Sequence, residues 1–158
     1  MVYPLQYYRR EMLEAYVRFQ NNTDYNVEVI WIKDKKEEKY SILPPKSFLD
    51  VNTYSLHSWI FREYLLKSPM SVAGKEIFKA SPWLKEYQRL SFSHPITSPL
   101  RTTVPIDAPV LDLRQLCLLK VVDMLKSKND VNELELPRTL QKELAQMISN
   151  RNELPYFV

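Results

Sequence analysis

Apolar residues alternate with polar ones through most of the first sixty residues, in short runs split by turn-forming clusters. The runs are YVRF, VEVIWI, KYSIL, SFLDVNTY and HSWIF, with KEIF further on. They are rich in β-branched and aromatic residues, and NNTDYN, KDKKEE and LPPK divide them. A period of two broken at such clusters predicts half-buried strands, and this number of short strands predicts a small antiparallel β-sandwich. KDKKEEK at 33–39 reads as a solvated turn. The order is clear to Arg62 and weaker over 63–103, with RTTVPI as one last strand. Prolines 95, 99, 105 and 109 then disfavour helix and supply an extended linker. The domain boundary is expected near 104–109, dividing the chain into a β domain, 1–103, and a helical domain, 104–158.

Past the linker the period becomes helical. Asp112 is placed to cap DLRQLCLLKVVDMLK, with Gln115 at capping-box spacing. SKNDVN reads as a short polar link. In LELPRTLQKELAQMIS, Pro137 suits a first turn, and Leu140, Leu144, Met147 and Ile148 share a face. The fold class is therefore α+β, a β-sandwich followed by a small helical unit. The first of the two helices has an excess of apolar residues. Leu113, Leu116, Cys117, Val121 and Met124 form one stripe, while Leu118, Leu119, Val122 and Leu125 extend apolar character around the remainder. A helix of this kind must be covered on several sides. Either the second helix and the sandwich share that task, or another protein completes one face in a helix-in-groove contact. Cys117 reads as a packing residue, since a reactive thiol needs a base and an electropositive setting.

Composition removes many functions. The net charge of +3 in 158 residues, with both signs interspersed, argues against nucleic acid as a partner. A single glycine, Gly74, rules out glycine-rich phosphate loops and dinucleotide fingerprints. One cysteine and two histidines, His57 and His94, exclude an internal disulfide and multi-histidine or multi-cysteine metal sites. No cofactor and no metal are expected. MVYPLQYYRREMLEAY lacks the apolar core of a signal peptide, and no run approaches a membrane span. The expected location is cytoplasm and nucleus.

One stretch carries candidate chemistry. TYSLHSW, residues 53–59, reads as strand, and on one strand face Thr53, Ser55, His57 and Trp59 would align. Taken alone, the row suits a self-satisfied strand in which Thr53 and His57 bond each other and Trp59 is core. It also suits a recognition site with a hydroxyl and an imidazole beside an indole. His94, beside Pro95, reads as an ordinary loop residue.

RFQNNTDYNVEVIW, YSILPP, TYSLHSWIF and APVLDLRQLCLLKVV, in that order, resemble the von Hippel–Lindau tumour suppressor family. The resemblance covers about 16–62 and 104–148. The family is the non-catalytic substrate receptor of an elongin BC–cullin–RING E3 ubiquitin ligase. It binds 4-hydroxyproline in the oxygen-dependent degradation region of hypoxia-inducible factor α and directs its ubiquitination and proteasomal degradation. The resemblance implies that Trp31, Tyr40, Thr53, His57 and Trp59 form the hydroxyproline pocket. It implies elongin C contacts at Leu113, Arg114, Cys117 and Val121, and cullin contacts at Leu136, Pro137 and Leu140. The implied partners are elongin C with elongin B, a cullin with its RING protein, and the hydroxylated factor.

A proline ring packs against aromatic faces. Its added hydroxyl needs a donor and an acceptor, which a threonine hydroxyl and a neutral imidazole can supply. Unmodified proline would leave both side chains desolvated and unpaired, at about 1–3 kcal/mol for a group left so. Departures from the family pattern are Thr53 in place of serine, a shorter turn between Trp31 and Tyr40, a longer 63–103 stretch, and an early C-terminus. The alternative function is a scaffold or chaperone-like adaptor whose sandwich binds proteins irrespective of hydroxylation. A hydrolase using His57 and Thr53 ranks far below, since no third group orients the base.

Overall fold

The structure, a computed structural model, describes residues 13–89 and 98–154. His94 and the N-terminal dozen residues lie outside that range. Two sheets face each other. The first has the order β4-β1-β8, built from β1 (Glu14–Asn21), β4 (Phe48–Tyr54) and β8 (Arg101–Ile106). The second has the order β3-β2-β5-β6, from β3 (Lys36–Leu43), β2 (Val27–Lys33), β5 (Ser58–Glu63) and β6 (Pro69–Met70). β7 (Phe78–Lys79) also pairs with β5.

The alternation read from sequence is the alternation of burial. Ala15, Val17 and Phe19 of β1 point inward between Val51 of β4 and Val104 and Ile106 of β8. Val27, Val29, Trp59 and Phe61 meet them from the other sheet. Phe19 is the central side chain, with ring centroids 5.3 Å from Trp59 and 5.0 Å from Phe61. Fully burying such side chains is worth about 1.5–3 kcal/mol each.

Four details differ from the sequence expectation. The β1/β8 pair is parallel, because the chain returns to the first sheet by a long path through 64–100. β8 runs three residues past the expected division at 103/104, carrying Val104 and Ile106 into the sandwich core. The turn in KDKKEEK is only Asp34–Lys35, both with positive φ, so its latter half is strand β3. Such two-residue turns match strand twist, and charged residues on an edge strand discourage pairing with other chains. The stretch 64–89 also holds a short helix, α1 (Trp83–Arg89).

The helical unit comprises α2 (Leu113–Met124), α3 (Lys128–Asn132) and α4 (Arg138–Asn152). Asp112 caps α2 as the sequence indicates: its carboxylate accepts from the Gln115 amide at 2.7 Å, and Gln115 Oε1 accepts from the Asp112 amide at 3.0 Å. Arg151 closes the other end by donating to the carbonyls of Val122 and Lys126. SKNDVN, expected as a link, forms α3, where Asp130 accepts from the amides of Lys126 and Ser127. α3 places Val131 in a second core with Leu118, Val122, Leu144, Met147 and Ile148. The two cores meet at the loop after β5. Leu65 and Leu66 pack on the helical core, and Gln115 Nε2 donates to buried Ser68 Oγ at 3.0 Å.

Candidate functional site

TYSLHSW is not a single strand. β4 ends at Tyr54, a turn follows, and β5 begins at Ser58 in the other sheet. The row on one strand face is therefore overturned, because Leu56 adopts φ of 75° and breaks the alternation. Neither glycine nor asparagine marks that turn, so the sequence gives no ordinary warning of it.

The same turn nevertheless brings the candidates together. Thr53 enters from the end of β4 and is 4% exposed. His57 follows the turn, and its Nδ1 lies 3.3 Å from Thr53 Oγ1. Trp59 of β5 pairs across the sheet with Trp31 of β2, and their rings stack with centroids 6.3 Å apart. The His57 ring lies 5.1 Å from Trp31. Neither buried indole N–H finds an acceptor among the described residues. Lys33 Nζ sits 5.3 Å from the Trp31 ring centroid, within cation–π range.

Tyr40 reaches the cluster through an irregularity in its strand. The β2/β3 register shifts between Val29 and Ile30, which pair with Ser41 and Lys39, leaving Tyr40 between them as the extra residue. A bulge re-aims the side chain it carries. Tyr40, half exposed, presents its ring edge-on to Trp59 at 5.1 Å. Five residues from four strands and one turn thus cluster, aromatic rings beside a hydroxyl and an imidazole, with Trp59 itself buried in the sandwich core. That is the composition of a site for a small apolar object carrying a polar group.

The α2 candidates fall into two sets. Leu113 is 77% exposed, and Leu116, Cys117 and Met124 are exposed with it, whereas Leu118 and Val122 are buried. Val121 is partly buried against the helical core. Arg114 is engaged within the chain, donating to both carboxylate oxygens of Glu143 in α4 at 2.7 and 2.8 Å. Of the residues at 136–140, Leu136 and Leu140 pack on the helical core, while Pro137 is exposed at the start of α4.

No described helix is long and apolar enough to cross a membrane. Among the described residues no three His, Cys, Asp or Glu side chains cluster as metal ligands.

Residues 9–85 match the family model described as VHL beta domain. The Drosophila melanogaster protein described as Protein Vhl is 28% identical over 143 residues, covering 87% of this chain and 79% of that protein.

Proposed function

The chain belongs to the VHL family, and from that premise we propose that it is the substrate-recognition subunit of an elongin BC–cullin–RING ubiquitin ligase. In this reading it binds 4-hydroxyproline in the oxygen-dependent degradation region of hypoxia-inducible factor α, in cytoplasm and nucleus. It performs no bond chemistry and contributes proximity between a bound target and the ligase's other subunits.

The observation that carries the reading is the convergence of Thr53 and His57 beside the aromatic rings of Trp31, Tyr40 and Trp59. The Thr53–His57 hydrogen bond has a useful property. If Thr53 donates to Nδ1, the threonine oxygen can still accept and Nε2–H can donate. If Nδ1–H donates to Thr53, the threonine hydroxyl can donate and Nε2 can accept. Either tautomer leaves one donor and one acceptor, the pair a hydroxyproline hydroxyl requires. Assembly is supported by the exposed α2 face of Leu113, Leu116, Cys117 and Met124, an apolar stripe that no described residue covers. Pro137 would be the exposed part of the cullin contact, with Leu136 and Leu140 shaping it from beneath.

The test is fluorescence-polarisation binding of one peptide of the transcription factor in proline and 4-hydroxyproline forms, with the chain co-expressed with elongins B and C. The expected result is a preference of about a hundredfold for the hydroxylated form, lost in His57→Ala. The second reading, a scaffold indifferent to hydroxylation, is favoured by the same Thr53–His57 bond, which satisfies the pair without a ligand. It predicts equal affinity for the two peptides.

A further inference from the structure

The turn between β4 and β5 holds a residue that its backbone disfavours. The His57 amide donates to the Tyr54 carbonyl at 3.2 Å, closing a four-residue turn in which Leu56 stands third with φ of 75°. That is the φ of the third position of a type II turn, where glycine or asparagine is at ease and a large side chain is strained. The other described non-glycine residues with positive φ are Asp34, Lys35, Lys46, Lys67 and Ala73, so Leu56 is the one large apolar side chain among them.

Leu56 returns little to its own fold, being 82% exposed. Strain of this kind persists mainly at ligand clamps and active sites, and Leu56 sits between Thr53 and His57 in the chain. Tyr54, half exposed, flanks the same turn with its ring 5.5 Å from the imidazole. The intervening residue is Ser55, so the turn presents apolar surface and no charge.

We propose that Leu56 is a specificity determinant of the His57 site, forming with Tyr54 an apolar lip that grips a bulky apolar side chain next to the hydroxyproline of a bound peptide. The inference rests on the hydroxyproline reading above. A site that takes one ring must let the peptide leave on both sides. An extended chain advances about 3.3–3.6 Å per residue, so a neighbouring side chain passes within reach of the turn. An exposed leucine and tyrosine favour an apolar side chain there over a charged one.

The test compares wild type, Leu56→Asn and Leu56→Gly as full chains with elongins B and C. The peptides carry hydroxyproline flanked on both sides by leucine or by serine, with an unhydroxylated leucine-flanked control. Asparagine tolerates positive φ and keeps the turn while removing the apolar side chain. The expected result is a melting temperature unchanged or raised in both variants, and a leucine-over-serine preference reduced about tenfold. Equal preference in wild type and variants overturns the inference while the hydroxyl preference stands. A melting temperature lowered in both variants also overturns it, because Leu56 then serves its own fold. Wild type that fails to distinguish hydroxyproline from proline overturns the pocket reading itself, and the lip with it.

Discussion

Thr53 Oγ1 and His57 Nδ1 lie 3.3 Å apart although Thr53 is the last residue but one in a strand of one sheet and His57 immediately precedes a strand of the other. The hydrogen bond spans the seam of the sandwich, and the indole pair of Trp31 and Trp59 stands beside it. In the proposed reading, binding at this seam would depend on how the two sheets are docked, so the shared core beneath it would position the site as well as stabilise the fold.

Thr53→Val keeps the shape of the side chain and removes its hydroxyl. It leaves His57 without its partner and the substrate hydroxyl with one contact fewer. Affinity for the hydroxyproline peptide should fall at least about tenfold, from about 1–3 kcal/mol for each group left unpaired. Affinity for the proline peptide should stay level or rise. A parallel fall for both peptides in the polarisation assay would point to altered packing instead.

Leu113 and Leu144 separate assembly from stability. Leu113→Asp places a charge on an exposed position, so the isolated chain should change in stability by no more than about 0.5 kcal/mol. It should lose capture of elongin C in co-purification. Leu144 is 1% exposed in the helical core, and Leu144→Ala should cost about 2–5 kcal/mol. Recovery of a full complex with Leu113→Asp contradicts the assignment of the exposed α2 face.

Much of the architecture was legible because burial follows the pattern of the chain. Ala15, Val17 and Phe19 alternate in sequence and in space, and Leu144, Met147 and Ile148 keep helical spacing to the core. The Asp112 cap was legible from its three-residue spacing to Gln115. Trp31, Tyr40, Thr53, His57 and Trp59 come together in space, but through a turn and a bulge and not along one strand face. Leu56 takes a turn conformation that its residue type does not advertise. Tyr40 reaches Trp59 through a bulge, which depends on the partner strand and has no local signature. The helix over 128–132 was hidden in polar text, since a single apolar residue, Val131, anchors it.

Asn21 sits in a turn-forming cluster of the sequence, yet it is fully buried and its side chain meets five groups. Its Nδ2 approaches the carbonyls of Tyr25, Leu43 and Pro44 at 2.8, 3.1 and 2.8 Å. Its Oδ1 accepts from the amide and hydroxyl of Thr23 at 3.0 and 2.7 Å. The side chain ties the end of β1 to the turn into β2 and to the end of β3. Asn21→Ala should destabilise the chain by more than about 2 kcal/mol, since several buried groups lose their partners. Asn21→Asp should do no better, because a second carboxylate oxygen would face carbonyls where the amide donates. Urea unfolding of both variants checks this, and an Asp variant as stable as wild type contradicts the donor assignment.

Glu63 gives the fold a pH dependence that can be isolated. Its side chain is buried at the end of β5, where desolvation pushes the carboxyl above its ordinary value of 4.5. The amides of Leu66 and Leu65, donating at 2.6 and 3.0 Å, and the charge of Lys67 offset this only in part. The native state therefore holds the Glu63 proton more tightly than the unfolded chain does. The resulting contribution to stability is fully present below about pH 4.5 and is lost as pH rises through the raised native value. Glu63→Gln removes this titration and, by losing one acceptor for the loop amides, adds a cost that does not vary with pH. The stability of wild type minus that of Glu63→Gln should thus decline from pH 4.5 to the raised value and be level above it. Chemical unfolding of both proteins across pH 4 to 8 measures the difference. A level difference throughout would mean that Glu63 titrates alike in the folded and unfolded chain. Since Leu65 and Leu66 pack on the helical core, the substitution should also loosen the contact between sandwich and helices, seen as faster amide exchange at Leu65 and Leu66.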